Sequence, residues 1–153
     1  MREFFLAQHS EAVAEDVDPQ RPLTERGREE VDRVARRAAA AGVRLAAVYH
    51  SGKLRAAETA AILASRLAPG EEPQALEGLA PKDDPRIVRE RLEALGDSVA
   101  LVGHLPHLSR LLSLLLADDP GREILAFRQG GLVRLVEDDG WRISWVLTPE
   151  LAR

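Results

Sequence analysis

Cysteine is absent from the chain. That excludes disulfides, thiolate metal sites and cysteine nucleophiles together, and it suits a reducing, cytoplasmic setting. Long apolar runs are absent as well: no stretch approaches the ~18 residues that a membrane-spanning helix needs. The first residues, Met-Arg-Glu-Phe-Phe-Leu, turn polar and acidic by Glu11 and lack the apolar core and cleavage site of a secretory leader. An excess of positive charge is missing too. The formal net charge is −4, which argues against nucleic acid or an anionic membrane as partner. There is no internal repeat and no low-complexity tract.

What is present has the usual balance of a globular protein: 153 residues, 45% apolar and 30% charged, read as one domain over 1–153. A chain of this length buries roughly 68–70% of its unfolded surface, so it needs no metal or disulfide to stand.

Short apolar runs alternate with helical patterns. Phe4-Phe5-Leu6-Ala7 reads as a buried strand, and the polar segment Ser10 to Pro22, with two prolines, as a loop. Thr24 is a candidate N-cap for a helix to about Ala41, whose Val31, Val34, Ala35 and Ala38 follow the i, i+3, i+4, i+7 pattern. Gly42 is its stop. Leu45 to Tyr49 is a second strand, Lys53 to Leu67 a second helix, and Gln74 to Leu76 a short edge strand. Asp84 caps a helix over Pro85 to Leu95, with proline in its first turn. Ser98 to Val102 is a central strand, and Pro106 to Ala117 a helix whose leucine face, Leu108 to Leu116, is core. Leu132 to Val136 and Trp141 to Leu147 alternate around Asp138-Asp139-Gly140, a hairpin signal. This order predicts a three-layer α/β/α fold: a mostly parallel central sheet, helices on both faces, and a C-terminal hairpin.

In such sheets ligands bind at the carboxyl edge of the strands. Three strands end there in suggestive residues: Gln8-His9-Ser10; His50-Ser51-Gly52, with Arg55 close behind; and Gly103-His104-Leu105-Pro106-His107. The set suits phosphoryl chemistry. A neutral imidazole can attack phosphorus and carry the phosphoryl group. The planar fork of arginine matches phosphate oxygens, and a second, protonated histidine stabilises the transferring oxygens. Taken singly, a histidine at a strand end is more often a hydrogen-bonded surface residue and an arginine on a helix a solvated one; the gathering on one edge gives them weight. His50 and His107 both stay nearer the bland reading, with facing substrate from a helix N-terminus the lesser alternative for His107.

These residues carry a resemblance. Gln8-His9-Ser10-Glu11-Ala12, Arg21-Pro22-Leu23-Thr24 with Gly27, Ser51-Gly52-Lys53-Leu54-Arg55-Ala56-Ala57-Glu58-Thr59, and Gly103-His104-Leu105-Pro106 stand in order over nearly the whole chain. They resemble the motifs of the histidine phosphatase superfamily, and within it the SixA-type phosphohistidine phosphatases, with their phosphoglycerate-mutase-like fold. The resemblance implies that His9 is the nucleophile, that His104 assists as a catalytic residue, that Arg55 and Arg21 bind phosphate, and that neither metal nor cofactor is used.

The chain departs from the family at Gln8, where members carry arginine. Glutamine keeps N–H donors but loses the charge, and hydrogen bonds to charged groups are worth about 1.5–3 kcal/mol. Lys53 is a candidate replacement for that charge. Ser10 stands for a family glycine and Gly52 for a proline. The general acid has no diagnostic spacing; Glu77, Asp83 and Asp84 are candidates, the last also a natural helix cap. Phosphohistidine depends less on leaving-group protonation than an alkyl ester does. The expected function is thus a metal-independent hydrolase of phosphohistidine on a protein. Two alternatives stand beside it: a weakly active or inactive phosphoprotein-binding member, silenced by Gln8, and a general small-molecule phosphomonoesterase.

Overall fold

Phe4-Phe5-Leu6-Ala7 lies near the middle of a six-stranded sheet in the computed structural model, which describes residues 1–153. The elements in chain order are β1 (Arg2–Gln8), α1 (Glu25–Ala40), β2 (Ala47–His50), α2 (Leu54–Leu67), β3 (Gln74–Ala75), α3 (Pro85–Leu95), β4 (Val99–Gly103), α4 (His107–Ala117), β5 (Leu132–Glu137) and β6 (Trp141–Leu147). The sheet order is β3-β2-β4-β1-β5-β6. Pairs β2–β3, β2–β4 and β1–β4 are parallel, while β1–β5 and β5–β6 are antiparallel. The expected mostly parallel sheet with a terminal hairpin is therefore what forms.

Side chains alternate across the sheet, as period two requires. Phe5, Ala7, Ala100 and Val102 point to a core shared with α1 and α2, whereas Phe4, Leu6, Val99 and Leu101 pack with α3 and α4. The leucine face of α4 is core: Leu108, Leu111 and Leu112 are fully buried. Thr24 caps α1 by accepting from the Gly27 N–H at 2.9 Å, and Asp84 caps α3 by accepting from the Arg86 N–H at 3.0 Å.

Most boundaries move by one to three residues, and three of the shifts bear on the site. β2 starts at Ala47 rather than Leu45, because the Leu45 N–H bonds the Leu67 carbonyl and Ala46 bonds Ser98 instead of joining the ladder. The strand consequently reaches His50. Pro106 is the N-cap of α4 rather than its first residue. β4 extends to Gly103, which pairs with Gln8, so the strands bearing His9 and His104 end level.

Candidate active site

That register is what brings the two histidines together. His9 and His104 each follow the last residue of adjacent parallel strands, and their rings lie 5.1 Å apart between centroids, tilted by 52°. Both are buried. The Nδ1 of His9 lies 2.8 Å from the Ser10 carbonyl. A carbonyl only accepts, so Nδ1 carries the proton and Nε2 keeps its lone pair. Burial, and then the Arg55 and Arg21 charges, hold the His9 pKa below its ordinary value against the opposing pull of the Ser10 carbonyl. His9 is neutral at neutral pH.

His104 differs from the sequence expectation of a protonated partner. Burial is the main cause that pushes its pKa down to about 3, helped by His9, Arg55, Lys53 and His107. In the protein on its own it is a neutral ring. Its Nε2 lies 2.6 Å from the Ser51 hydroxyl, and its buried Nδ1 has no partner. An arriving phosphoryl dianion supplies the opposite charge that favours the protonated form.

Two guanidinium groups converge on this pair. Arg55 sits in the first turn of α2, its Nε buried and without a partner. Arg21 donates from Nε to the Val13 carbonyl at 3.0 Å, with its backbone in the left-handed region at φ 51°. Burial and the Arg21 charge push the Arg55 pKa down, with Glu15 pulling the other way. Neither arginine has a carboxylate within salt-bridge distance. Two like charges held together without a counter-ion make a pocket suited to an oxyanion.

The loop carrying His9 is tied from two sides. The Ser10 N–H donates to the Thr59 hydroxyl at 3.0 Å, and the Ser10 hydroxyl donates to the Gly27 carbonyl at 2.7 Å. Thr59 in turn donates to the Arg55 carbonyl at 2.8 Å, so one hydroxyl couples nucleophile loop and arginine helix. Gly27 is required here, since a Cβ would stand 2.2 Å from the Glu11 carbonyl oxygen. The serine that replaces a family glycine is thus seated, with its hydroxyl facing Gly130 as well.

Other expected residues are placed as follows. Gln8, beside His9, turns toward a polar cavity of about 310 Å³ shared with Leu105, Phe127, Arg128 and Gln129; its Oε1 is buried without a partner. Lys53, the N-cap residue of α2, is exposed, and its charge reaches His104. His107 is fully buried, so it does not present an edge to solvent as the sequence reading allowed; burial lowers its pKa, with the Asp83 charge and the Gly78 backbone pulling the other way. None of the acid candidates bonds His9 or His104, although the charges of Asp83 and Asp84 reach His107. Glu77 is 87% exposed and 3.9 Å from Arg91. Asp83 accepts from the Ala80 N–H at 3.0 Å, and Asp84 is occupied by Arg86. His50 accepts from the Gly52 N–H, in line with its bland reading. Nowhere do three metal-ligating side chains converge.

Three residues went unread in the sequence. Ser51 was visible only as part of a motif, Thr59 only as its last position. Glu15 had no signal, lying in a polar loop; it is the carboxylate whose charge is felt by Arg55.

A mostly parallel sheet with two histidines at its carboxyl edge, and two arginines free of salt bridges beside them, defines an α/β protein of the class that binds ligands at its strand ends. Comparison with known proteins places it further. Residues 8–81 match the model of the histidine phosphatase superfamily (branch 1). The chain is 35% identical over 126 residues to an uncharacterised protein of Picosynechococcus sp., covering 80% of this chain and 74% of the relative. Among solved structures it resembles the protein histidine phosphatase SixA complexed with tungstate, with a TM-score of 0.86 and 25% identity over 99% of each chain. It shares the fold, at a TM-score of 0.72 and 15% identity, with a mycobacterial glucosyl-3-phosphoglycerate phosphatase complexed with VO3, covering 95% of this chain and 98% of that one. The chain belongs to the histidine phosphatase superfamily.

Proposed function

We propose that the protein is a metal-independent phosphatase that removes the phosphoryl group from phosphohistidine on a protein, through a covalent intermediate on Nε2 of His9. The observation that carries this reading is the tautomer of His9. With its Nδ1 proton fixed on the Ser10 carbonyl and its charge suppressed by burial, Nε2 keeps a lone pair within the field of two arginines, Arg55 and Arg21, that form no salt bridge.

The steps balance without a metal. The Nε2 lone pair attacks phosphorus; the bond from phosphorus to the substrate nitrogen breaks, and its electron pair goes to the leaving imidazole. Water then attacks the phosphoryl group on His9, the P–Nε2 bond breaks, and inorganic phosphate leaves. Arg55 and Arg21 offset the charge on the transferring oxygens. A phosphohistidine protonated on its other ring nitrogen leaves as neutral imidazole, so the first step needs no carboxylic acid. That fits a site in which Glu77, Asp83 and Asp84 are each engaged by other groups. The resemblance to a protein histidine phosphatase supports the same substrate class.

The test is turnover of a phosphohistidine-bearing protein and of para-nitrophenyl phosphate, with metal chelated, beside His9→Ala. Hydrolysis of the phosphoprotein that His9→Ala abolishes supports the reading; fast hydrolysis of alkyl monoesters with none of phosphohistidine overturns the substrate. A second reading, a phosphoprotein-binding member with little turnover, is favoured by Gln8. There the charge of the family arginine is gone and an amide oxygen lies unpartnered. Binding without turnover would select it.

A further inference from the structure

Beyond the phosphate pocket, the chain between α4 and β5 does more than connect them. Its start is pinned: the buried Ser113 hydroxyl donates to the Asp119 carbonyl and accepts from the Arg122 N–H at 3.1 Å. Its end is pinned as well, by the Gly130 N–H on the Gln8 carbonyl at 3.0 Å and the bridge between Gln8 and Gln129. Between these anchors, residues 120–127 arch over the start of α4. They enclose a cavity of about 390 Å³ whose floor is Leu105, Pro106, Ser109 and Arg110.

The α4 side of this groove carries an arginine that no carboxylate of the chain pairs. Arg110 is half-buried, and its guanidinium has neither a hydrogen bond nor a salt bridge. The Asp84 carboxylate, which feels its charge, is already occupied by Arg86. Arg122 is paired with Asp119 at 3.5 Å, leaving Glu123 as the one carboxylate of the lining. The groove also adjoins the pocket: Leu105, 41% exposed, directly follows His104 and, with Phe127, lines both this cavity and the one that holds Gln8. A ligand held at His104 would therefore meet Leu105, beside which both cavities open. That shape fits a polypeptide better than a small ester.

We propose that the groove beneath the 120–127 arch receives an acidic side chain flanking the phosphorylated residue of a protein substrate, with Arg110 as its counter-ion. This rests on the protein-substrate reading given above, and deepens it.

The test uses binding rather than turnover. Two peptides, each with a stable phosphonate analogue of phosphohistidine, are titrated calorimetrically into His9→Ala protein, one flanked by glutamates and one by glutamines. The glutamate peptide binds about tenfold more tightly at low salt, as a charge-assisted contact predicts. Arg110→Gln, which keeps most of the side-chain length, brings the ratio toward one, and Arg110→Glu turns the preference to a lysine-flanked peptide. Equal affinities, or a preference that Arg110→Gln leaves intact, overturn the proposal. So does an effect of Arg110→Gln confined to a small bis-anion such as 3-phosphoglycerate. A protein that hydrolyses para-nitrophenyl phosphate but binds neither peptide loses the protein-substrate reading and this groove with it. A glutamate preference in a protein without turnover removes the phosphatase reading and leaves the groove standing.

Discussion

On the α1–α2 side of the sheet edge, the loop that carries His9 is matched within the chain, although Arg55 Nε and Gln8 Oε1 beside it are not. Ser10 is held by Thr59 and Gly27, Thr24 donates to Glu11 at 2.7 Å, and Glu58 takes both the Leu23 N–H and Arg28. On the α4 side, His104 Nδ1 has no partner, the Arg110 guanidinium has no salt bridge, and α4 begins after Pro106 with no side-chain cap. The contrast teaches a division of labour. The first wall fixes the nucleophile before substrate arrives, which lowers reorganisation in the reaction. The second is left for a ligand to complete.

The largest test of the first wall is its nucleophile. His9→Ala is expected to lower turnover of a phosphohistidine substrate by at least about a thousandfold, since no other group offers a covalent route. Rates within tenfold of wild type would move the chemistry off His9. Next comes the residue beside it. Gln8→Arg restores a charged donor and is expected to raise kcat/KM by roughly ten- to a hundredfold. No gain would mean that the pocket has been rebuilt around the amide.

The rigidity of the two walls can be compared directly. Gly27→Ala drives a methyl into the Glu11 carbonyl at 2.2 Å, so the loop must shift; the expected loss is about 1–3 kcal/mol, or several degrees in Tm. Ser109→Ala, in the groove on the other wall, should stay within about 0.5 kcal/mol. Equal losses would erase the comparison. Both walls share one pH signature. His9, His104 and His107 all have folded-state pKa values below 6.5, with burial the largest cause. The unfolded chain binds protons first on acidification, so stability is full above pH 6.5. It falls as pH drops toward the folded values, about 3 for His104. Urea titrations at pH 7 and pH 5 measure this. The acid limb of kcat/KM likewise lies below pH 6.5, where His9 takes its proton.

Much of this was legible in the sequence, because local signals and chain order agreed. The caps Thr24 and Asp84 and the strand ends bearing His9 and His104 needed only spacing and periodicity. What failed to show depends on contacts between distant residues. The start of β2 is set by Leu67 and Ser98. The charge state of His104 is set by burial together with His9, Arg55, Lys53 and His107. His107 looked free to face substrate because a helix N-terminus suggests exposure, yet its side of the helix closes onto the core. An unpaired arginine such as Arg110 cannot be read from sequence at all, since pairing is a fact about neighbours.

The smallest effect belongs to Lys53, and it probes whether the pocket has recovered the charge lost at Gln8. Lys53 is exposed, so solvent and salt screen it; its contribution to phosphate binding is expected to be only about two- to fivefold. The informative quantity is its dependence on background. If Lys53 stands in for the missing arginine, Lys53→Ala raises KM in the wild type at low salt. The effect then shrinks in Gln8→Arg, where a nearer cation does the same work. Equal effects in both backgrounds would make the two positions independent. No effect in either would leave Arg55 and Arg21 as the cations on which the pocket relies.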